Sequence, residues 1–157
     1  MATAPHRLLA PAGASLTAAQ VQALVAGACA PEAYRGKKVL LIIPDGTRTA
    51  PVGLMFQALH AQLAGVTKKF DVMIALGTHP PMPADAINQR VGITAEQRAS
   101  TYKDVEFINH EWDNPAALRA FGRIPADEIR QLSGGLFAMD VPVHVNKRLF
   151  DYDELVI

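Results

Sequence analysis

The chain has 157 residues, half of them hydrophobic, and a formal net charge of zero. That is one domain's worth of chain with a real core, and the charge balance gives no support for a nucleic-acid or membrane-surface partner. A single cysteine, Cys29, excludes an internal disulfide and a cysteine-rich metal site, and it fits a reducing, cytoplasmic compartment.

Pro5, Pro11 and Gly13 punctuate residues 1–15 and predict an irregular opening. Residues 16–30 are alanine-rich, and Ala28-Cys29-Ala30 has the small residues of a cleavage site. Gln20 and Gln22 interrupt the apolar core that a secretory signal needs. Thr17 as an N-cap, with Val21, Leu24 and Val25 at helical spacing, predicts a short amphipathic helix instead. Residues 1–35 therefore read as an extension carrying one short helix. No apolar run reaches the ~18 residues of a membrane span.

Residues 39–43, Val-Leu-Leu-Ile-Ile, carry no charge and predict a strand covered on both faces. Pro44 ends it, and Asp45, Thr47, Arg48 and Thr49 crowd the loop that follows. Pro51 stands where a first helical residue would, and Val52, Met55, Phe56, Leu59 and Leu63 predict a helix over residues 50–63, stopped by Gly65. Residues 70–76 are the next strand, followed by Gly77-Thr78-His79-Pro80-Pro81. Two apolar strands joined by one amphipathic helix predict a parallel, right-handed β-α-β unit.

Pro83 opens a short helix over residues 83–91 that Gly92 closes, and Thr94 with Gln97 forms a capping-box pattern that starts another. Residues 104–109 predict a third strand, followed by His110-Glu111-Trp112-Asp113. Residues 116–121 suit helix or strand. Ser133-Gly134-Gly135 is read as a turn between extended segments at 118–124 and 136–145. A short helix or turn over 147–152 and a strand from Glu154 follow. The alternation predicts an α/β fold with an open, largely parallel sheet, flanking helices and Rossmann-like βαβ units.

In such a sheet, ligand residues gather beyond the carboxyl ends of the strands. Asp45, Arg48 and His79 are expected to converge on one cleft there. Thr47, Thr49 and the backbone N–H groups before Val52 would form a floor that favours an anion. Arg48 adds a planar fork for carboxylate or phosphate. Of the five histidines, His79 and His110 follow strands, whereas His6, His60 and His144 have positions that suit bland roles. An imidazole near its ordinary pKa of about 6.5 is a ready proton acceptor. Trp112 is expected to anchor its loop in an apolar pocket. No His-x-x-x-His pair, Walker lysine or Gly-x-Gly-x-x-Gly run is present, so no metal ligand is assigned and ordinary nucleotide sites are disfavoured.

Pro44-Asp45-Gly46-Thr47-Arg48, then Leu76-Gly77-Thr78-His79-Pro80-Pro81-Met82, then Asn109-His110-Glu111-Trp112-Asp113 resemble, in order and spacing, successive motifs of the nickel-dependent lactate racemase family. The resemblance implies a 2-hydroxyacid racemase or epimerase that uses a nickel-pincer nucleotide as hydride acceptor and donor, with a histidine pair that removes and restores the hydroxyl proton. His79 matches the first catalytic histidine. Asp45 and Arg48 match residues that contact cofactor and substrate, with Thr47 on the cofactor side and His110 a second substrate contact. The family's second histidine, its cofactor-tethering lysine and its nickel-binding histidine would all fall beyond Ile157. The resemblance therefore implies that residues 1–157 are a single α/β domain, the N-terminal part of a larger two-domain protein. Its partners would be a small 2-hydroxy acid and the C-terminal portion of the same protein. The cofactor is expected in the complete protein and not on this chain alone. The alternative is a non-catalytic α/β module that holds a small anion or nucleotide at residues 45–49.

Overall fold

The computed structural model of the protein describes residues 6–157. The irregular opening expected over residues 1–15 falls partly on residues 1–5, which lie outside the described residues. Thr17 caps the first helix, α1 (Ala18–Ala28), and exchanges hydrogen bonds with Gln20 in a complete capping box. A short turn of helix, α2 (Pro31–Tyr34), leads into β1 (Lys38–Pro44). Helix α3 (Val52–Leu63) then crosses to β2 (Lys69–Ala75). Helices α4 (Ala84–Val91) and α5 (Ala95–Ala99) lead to β3 (Phe107–Asn109), and the chain returns at its far end as β6 (Glu154–Val156). Among the described residues these strands form one four-stranded sheet in the order β3-β2-β1-β6, and every neighbouring pair is parallel. The fold is α/β with helices flanking the sheet, as the alternation predicts.

The core lies between one face of the sheet and the helices. Val39, Leu41 and Ile43 alternate on β1 with Phe70, Val72 and Ile74 beside them on β2. Phe56, Leu59 and Leu63 of α3, Val21 and Val25 of α1, and Ile87 and Val91 of α4 cover them. Fully burying a side chain of this size stabilises by about 1.5–3 kcal/mol, and Phe56, Leu63 and Val91 have no solvent exposure. Helices α3 and α4 meet closely at Gly53. A Cβ at that position would stand 3.2 Å from the Val91 carbonyl, so a methyl group fits only as α4 gives by a few tenths of an ångström.

The opposite face carries a buried carboxylate. Asp71 on β2 is fully buried and accepts three hydrogen bonds. The Tyr152 hydroxyl donates at 2.6 Å, the Lys69 ammonium at 2.6 Å and the Glu106 backbone N–H at 2.8 Å. Lys69 and Arg148 both pair with Glu106. Burial, and then the bond to Asp71, pushes the Tyr152 hydroxyl above its ordinary pKa. Tyr152 immediately precedes β6, and Asp153 exchanges hydrogen bonds with the backbone of Lys38. The network thus docks the last strand beside β1.

Between β3 and β6 the chain departs from the sequence-based reading. A 3₁₀ turn (Pro115–Ala117) leads into β4 (Leu118–Ile124), which settles the open choice at 116–121 in favour of strand. Helix α6 (Ala126–Leu132) occupies a stretch for which the sequence reading assigns no element. Its cues were present: Pro125 before the first turn, Asp127 and Glu128 within it, and Arg130 near its end. It buries no residue, so its apolar pattern is too thin to register. Strand β5 (Val141–Asn146) pairs antiparallel with β4 in a second, two-stranded sheet. Residues 136–140 are therefore not extended in a ladder. Asp140 instead pairs with Arg123 and accepts the Ala126 N–H, turning the chain there. A 3₁₀ turn (Lys147–Asp151) precedes β6. Strand β3 covers three residues rather than six, and α3 starts at Val52 rather than at residue 50.

Removing the carboxylate of Asp71 leaves the Tyr152 hydroxyl and the Glu106 N–H without their acceptor. Asp71→Ala should cost about 2–4 kcal/mol in urea unfolding, and Tyr152→Phe about 1–2 kcal/mol. Equal, negligible losses in both variants would show that the network does not hold β6.

Candidate functional site

The loops after β1 and β2 leave the sheet side by side, because Pro44 pairs with Ala75 at the carboxyl end of the ladder. Asp45 is the first residue of its loop and is buried, whereas Gly46, Thr47 and Arg48 are exposed. Its Oδ1 accepts the Thr47 backbone N–H at 3.0 Å and the Thr47 hydroxyl at 2.5 Å, closing a tight Asx turn. Its Oδ2 lies 2.5 Å from His79 Nδ1. The Thr47 hydroxyl, against the opposing effect of burial and with help from the Thr47 N–H and His79, pushes the Asp45 carboxyl down to about 2. Near neutral pH Asp45 is thus an acceptor only, and the proton it shares with His79 resides on Nδ1.

Gly77, with φ at +58°, turns the chain out of β2, a conformation that a side chain would strain. The His79 N–H then closes the turn on the Leu76 carbonyl at 3.0 Å. The His79 side chain stays half exposed while Asp45 lies beneath it. Asp45, Thr47, Arg48, Thr78 and His79 line a single cavity of about 510 Å³, with Ile42, Ile43 and Leu76 on its apolar side. The expected convergence of Asp45, Arg48 and His79 is therefore present in the geometry. Among the described residues the Arg48 guanidinium has no ion-pair partner. Its backbone carbonyl accepts from Arg90 of α4 at 2.9 Å, and Arg90 Nε also donates to the Pro44 carbonyl at 3.0 Å. Arg90 thus grips the β1 loop at both ends. No local pattern points to this role, since a cation in the last turn of a helix has an ordinary explanation in the helix dipole.

Other expectations need correction. Thr49 does not line the cavity. The Val52 N–H is already bonded to the Ala50 carbonyl at 2.8 Å, and α3 has no side-chain cap. Ala50, Pro51 and Val52 instead line an adjoining apolar cavity of about 270 Å³ with Met55 and Phe56. Any preference for an anion thus rests on Arg48, not on the helix N-terminus. Trp112 is not in an apolar pocket. It is 39% exposed, and its indole N–H donates to the His79 carbonyl at 3.2 Å. His110 does not reach the cavity: its backbone N–H bonds to the Ile74 carbonyl, and its Nδ1 lies 3.1 Å from the Asn146 amide nitrogen. His60 is half-buried among Phe56, Phe70 and Tyr102, and burial lowers its pKa. His144 is exposed on β5. Among the described residues no three His, Cys, Asp or Glu side chains group as a metal site, and no helix is long and apolar enough to cross a membrane.

Comparison with known proteins follows the same outline. The family described as lactate racemase N-terminal domain matches residues 15–157. No curated protein matches the chain. Among solved structures, a protein from Thermotoga maritima superposes with a TM-score of 0.76 at 30% identity, over 89% of this chain and 32% of its own. The lactate racemase apoprotein from Thermoanaerobacterium thermosaccharolyticum superposes with a TM-score of 0.53 at 20% identity, over 79% of this chain and 26% of its own, a likeness of fold. The chain thus spans a third or less of each of these two structures.

The position of the Asp45 titration gives a pH test. A carboxyl lowered from about 4 to about 2 contributes stability that is complete above the unfolded value and lost as pH falls toward about 2. Thr47→Val removes the hydroxyl donor, so the Asp45 carboxyl should titrate closer to 4 by ¹³C NMR, and acid unfolding should begin at higher pH. An unmoved titration would remove Thr47 as the cause.

Proposed function

Since the chain belongs to the lactate racemase N-terminal domain family, we propose that it supplies a proton-transferring and anion-holding part of a 2-hydroxyacid racemase or epimerase site. The observation that carries this reading is the 2.5 Å contact between the buried Asp45 carboxylate and His79 Nδ1. With Nδ1–H donated to Asp45, the neutral ring keeps its lone pair on Nε2, the nitrogen left to accept a proton. His79 Nε2 takes the hydroxyl proton of a 2-hydroxy acid, and the Asp45 carboxylate stabilises the imidazolium that forms. A proton is restored to that oxygen as the product hydroxyl forms, the role that the resemblance gives to the second histidine of the pair. As the hydroxyl loses its proton, the adjacent C–H bond becomes a better hydride donor, so the base acts on the bond-breaking step from one atom away. Arg48, without an ion-pair partner among the described residues, holds the substrate carboxylate through two parallel N–H bonds.

The family implies a nickel-pincer nucleotide in the complete protein. The donor that fits its anionic groups is the Arg48 guanidinium, which opens onto the cavity; the Thr47 hydroxyl gives its one proton to Asp45 and turns only lone pairs outward. The site offers no set of nickel ligands among the described residues. In this reading Arg48, with N–H donors beyond the two on the substrate carboxylate, would also meet a charged group of the nucleotide, and the metal is held elsewhere in the protein. When bound, the cofactor supplies the hydride acceptor. Both Asp45 oxygens are engaged by Thr47 and His79, so Asp45 acts through His79 rather than on the cofactor.

In the complete protein loaded with cofactor, His79→Ala should lower kcat for a 2-hydroxy acid by about 10²–10⁴-fold, the usual contribution of a general base. Arg48→Ala should act mainly on KM. Racemisation followed by chiral chromatography separates the two effects. A His79→Ala protein with near-wild-type kcat would exclude the base role and leave a domain that only holds an anion.

A further inference from the structure

The His79 loop does not hold itself in place. Residues 77–82 leave β2 through a positive-φ glycine and run through Pro80 and Pro81, which have no N–H to donate. Apart from the turn at Leu76, the backbone bonds of this loop among the described residues go to residues 109–112, at and just past the end of β3. Asn109, the last residue of β3, pairs with Met82 as one peptide pairs with another: its Oδ1 accepts the Met82 N–H at 3.0 Å, and its Nδ2 donates to the Met82 carbonyl at 3.0 Å. Three residues on, Trp112 donates its indole N–H to the carbonyl of His79 itself.

Between these two contacts sits His110, which is fastened on both sides. Its backbone N–H bonds to Ile74 on β2, and its Nδ1 accepts from the buried Asn146 at the end of β5. Asn146 in turn accepts the Arg148 N–H and caps the 3₁₀ turn that leads to β6. The segment 109–112 is therefore fixed to the sheet and to the β4–β5 hairpin, and through Asn109 and Trp112 it reaches the loop that carries the imidazole.

We infer that Asn109 and Trp112 are positioning residues for His79: a two-point clamp from the β3 exit holds the loop so that Nδ1 stays on Asp45 and Nε2 stays free. The inference rests on the reading of His79 as the proton-transferring group. Neither residue lines the cavity that holds Asp45, Arg48 and His79, so each acts through the loop backbone and not on a ligand. A ring released from the clamp swings on a half-exposed loop. Its short contact with Asp45 is then made for only part of the time, and the Nε2–H tautomer, which has no lone pair on the outward nitrogen, gains population.

The test reads the ring directly and needs no substrate or cofactor. In protein with ¹⁵N-labelled histidine, the ring shifts of His79 report the tautomer, and the loss of its signals in His79→Gln assigns them. The wild type should show predominantly Nδ1–H, and Asp45→Asn should abolish that preference. Trp112→Phe keeps an aromatic ring but removes the N–H, and should lower the ratio of Nδ1–H to Nε2–H about fivefold, the effect of one neutral hydrogen bond. Asn109→Ala removes two such bonds, and should lower the ratio by roughly an order of magnitude or more. Asn109→Asp keeps the acceptor for the Met82 N–H, and should fall between Asn109→Ala and wild type. A residue that only stabilised the fold would lower the melting temperature and leave the tautomer ratio of the folded protein unchanged. Wild-type ratios in folded Trp112→Phe and Asn109→Ala would overturn the clamp. If instead the ratios shift as expected but His79→Ala in the complete protein retains its turnover, the clamp stands and the catalytic reading falls.

Discussion

Everything at the cleft depends on one register. The parallel ladder of β1 and β2 ends with Pro44 opposite Ala75, so the two strands release their loops at the same level. Parallel strands lie about 4.8 Å apart. Asp45 follows Pro44 directly, and His79 needs only the turn at Gly77 to come back over it. A slip of one residue would turn the Asp45 side chain to the opposite face and break the contact. The slip is prevented by burial: Val39, Leu41 and Ile43 must meet Phe70, Val72 and Ile74 on the helix-covered side. The chemistry thus inherits its geometry from apolar packing.

Two buried carboxylates mark opposite ends of the same sheet and have different uses. Asp71 lies near the start of β2 and is surrounded by donors from Lys69, Glu106 and Tyr152, which fixes strands to one another. Asp45 lies past the end of β1, and its partners are a threonine of its own loop and an imidazole with an exposed side. The first is closed on every side. The second is closed on one oxygen and directed through the other, the arrangement by which a carboxylate orients a histidine.

The sheet was legible because its central strands carry uncharged apolar runs, residues 39–43 and 72–76, and are bounded by Pro44, Gly65 and Gly77. The α3 stripe, the Thr17 N-cap and the Thr94 capping box could be read by spacing alone. The pairing of Asp45 with His79 was legible only as proximity, since strand ends predict which loops meet and not which atoms do. Arg90, Asn109 and Asn146 were out of reach. Each works by bonding to distant backbone or to another side chain, and nothing in the local pattern distinguishes such a residue from an ordinary polar one. The β4–α6–β5 region was read least well for the opposite reason. Leu132, Leu136, Phe137 and Met139 are all more than half exposed, so the period of burial that normally reveals secondary structure is weak there.

The close approach at Gly53 reaches further than packing. Helix α4 is pressed against it, and α4 carries the arginine that grips the loop of Asp45 and Arg48. A methyl group added there has no backbone conflict of its own, because the helix accepts alanine readily. Its cost is a displaced neighbour, and that displacement is delivered to the cleft through Arg90. In a library of variants scored for activity, position 53 would therefore behave like part of the site, although it does not line the cavity of His79.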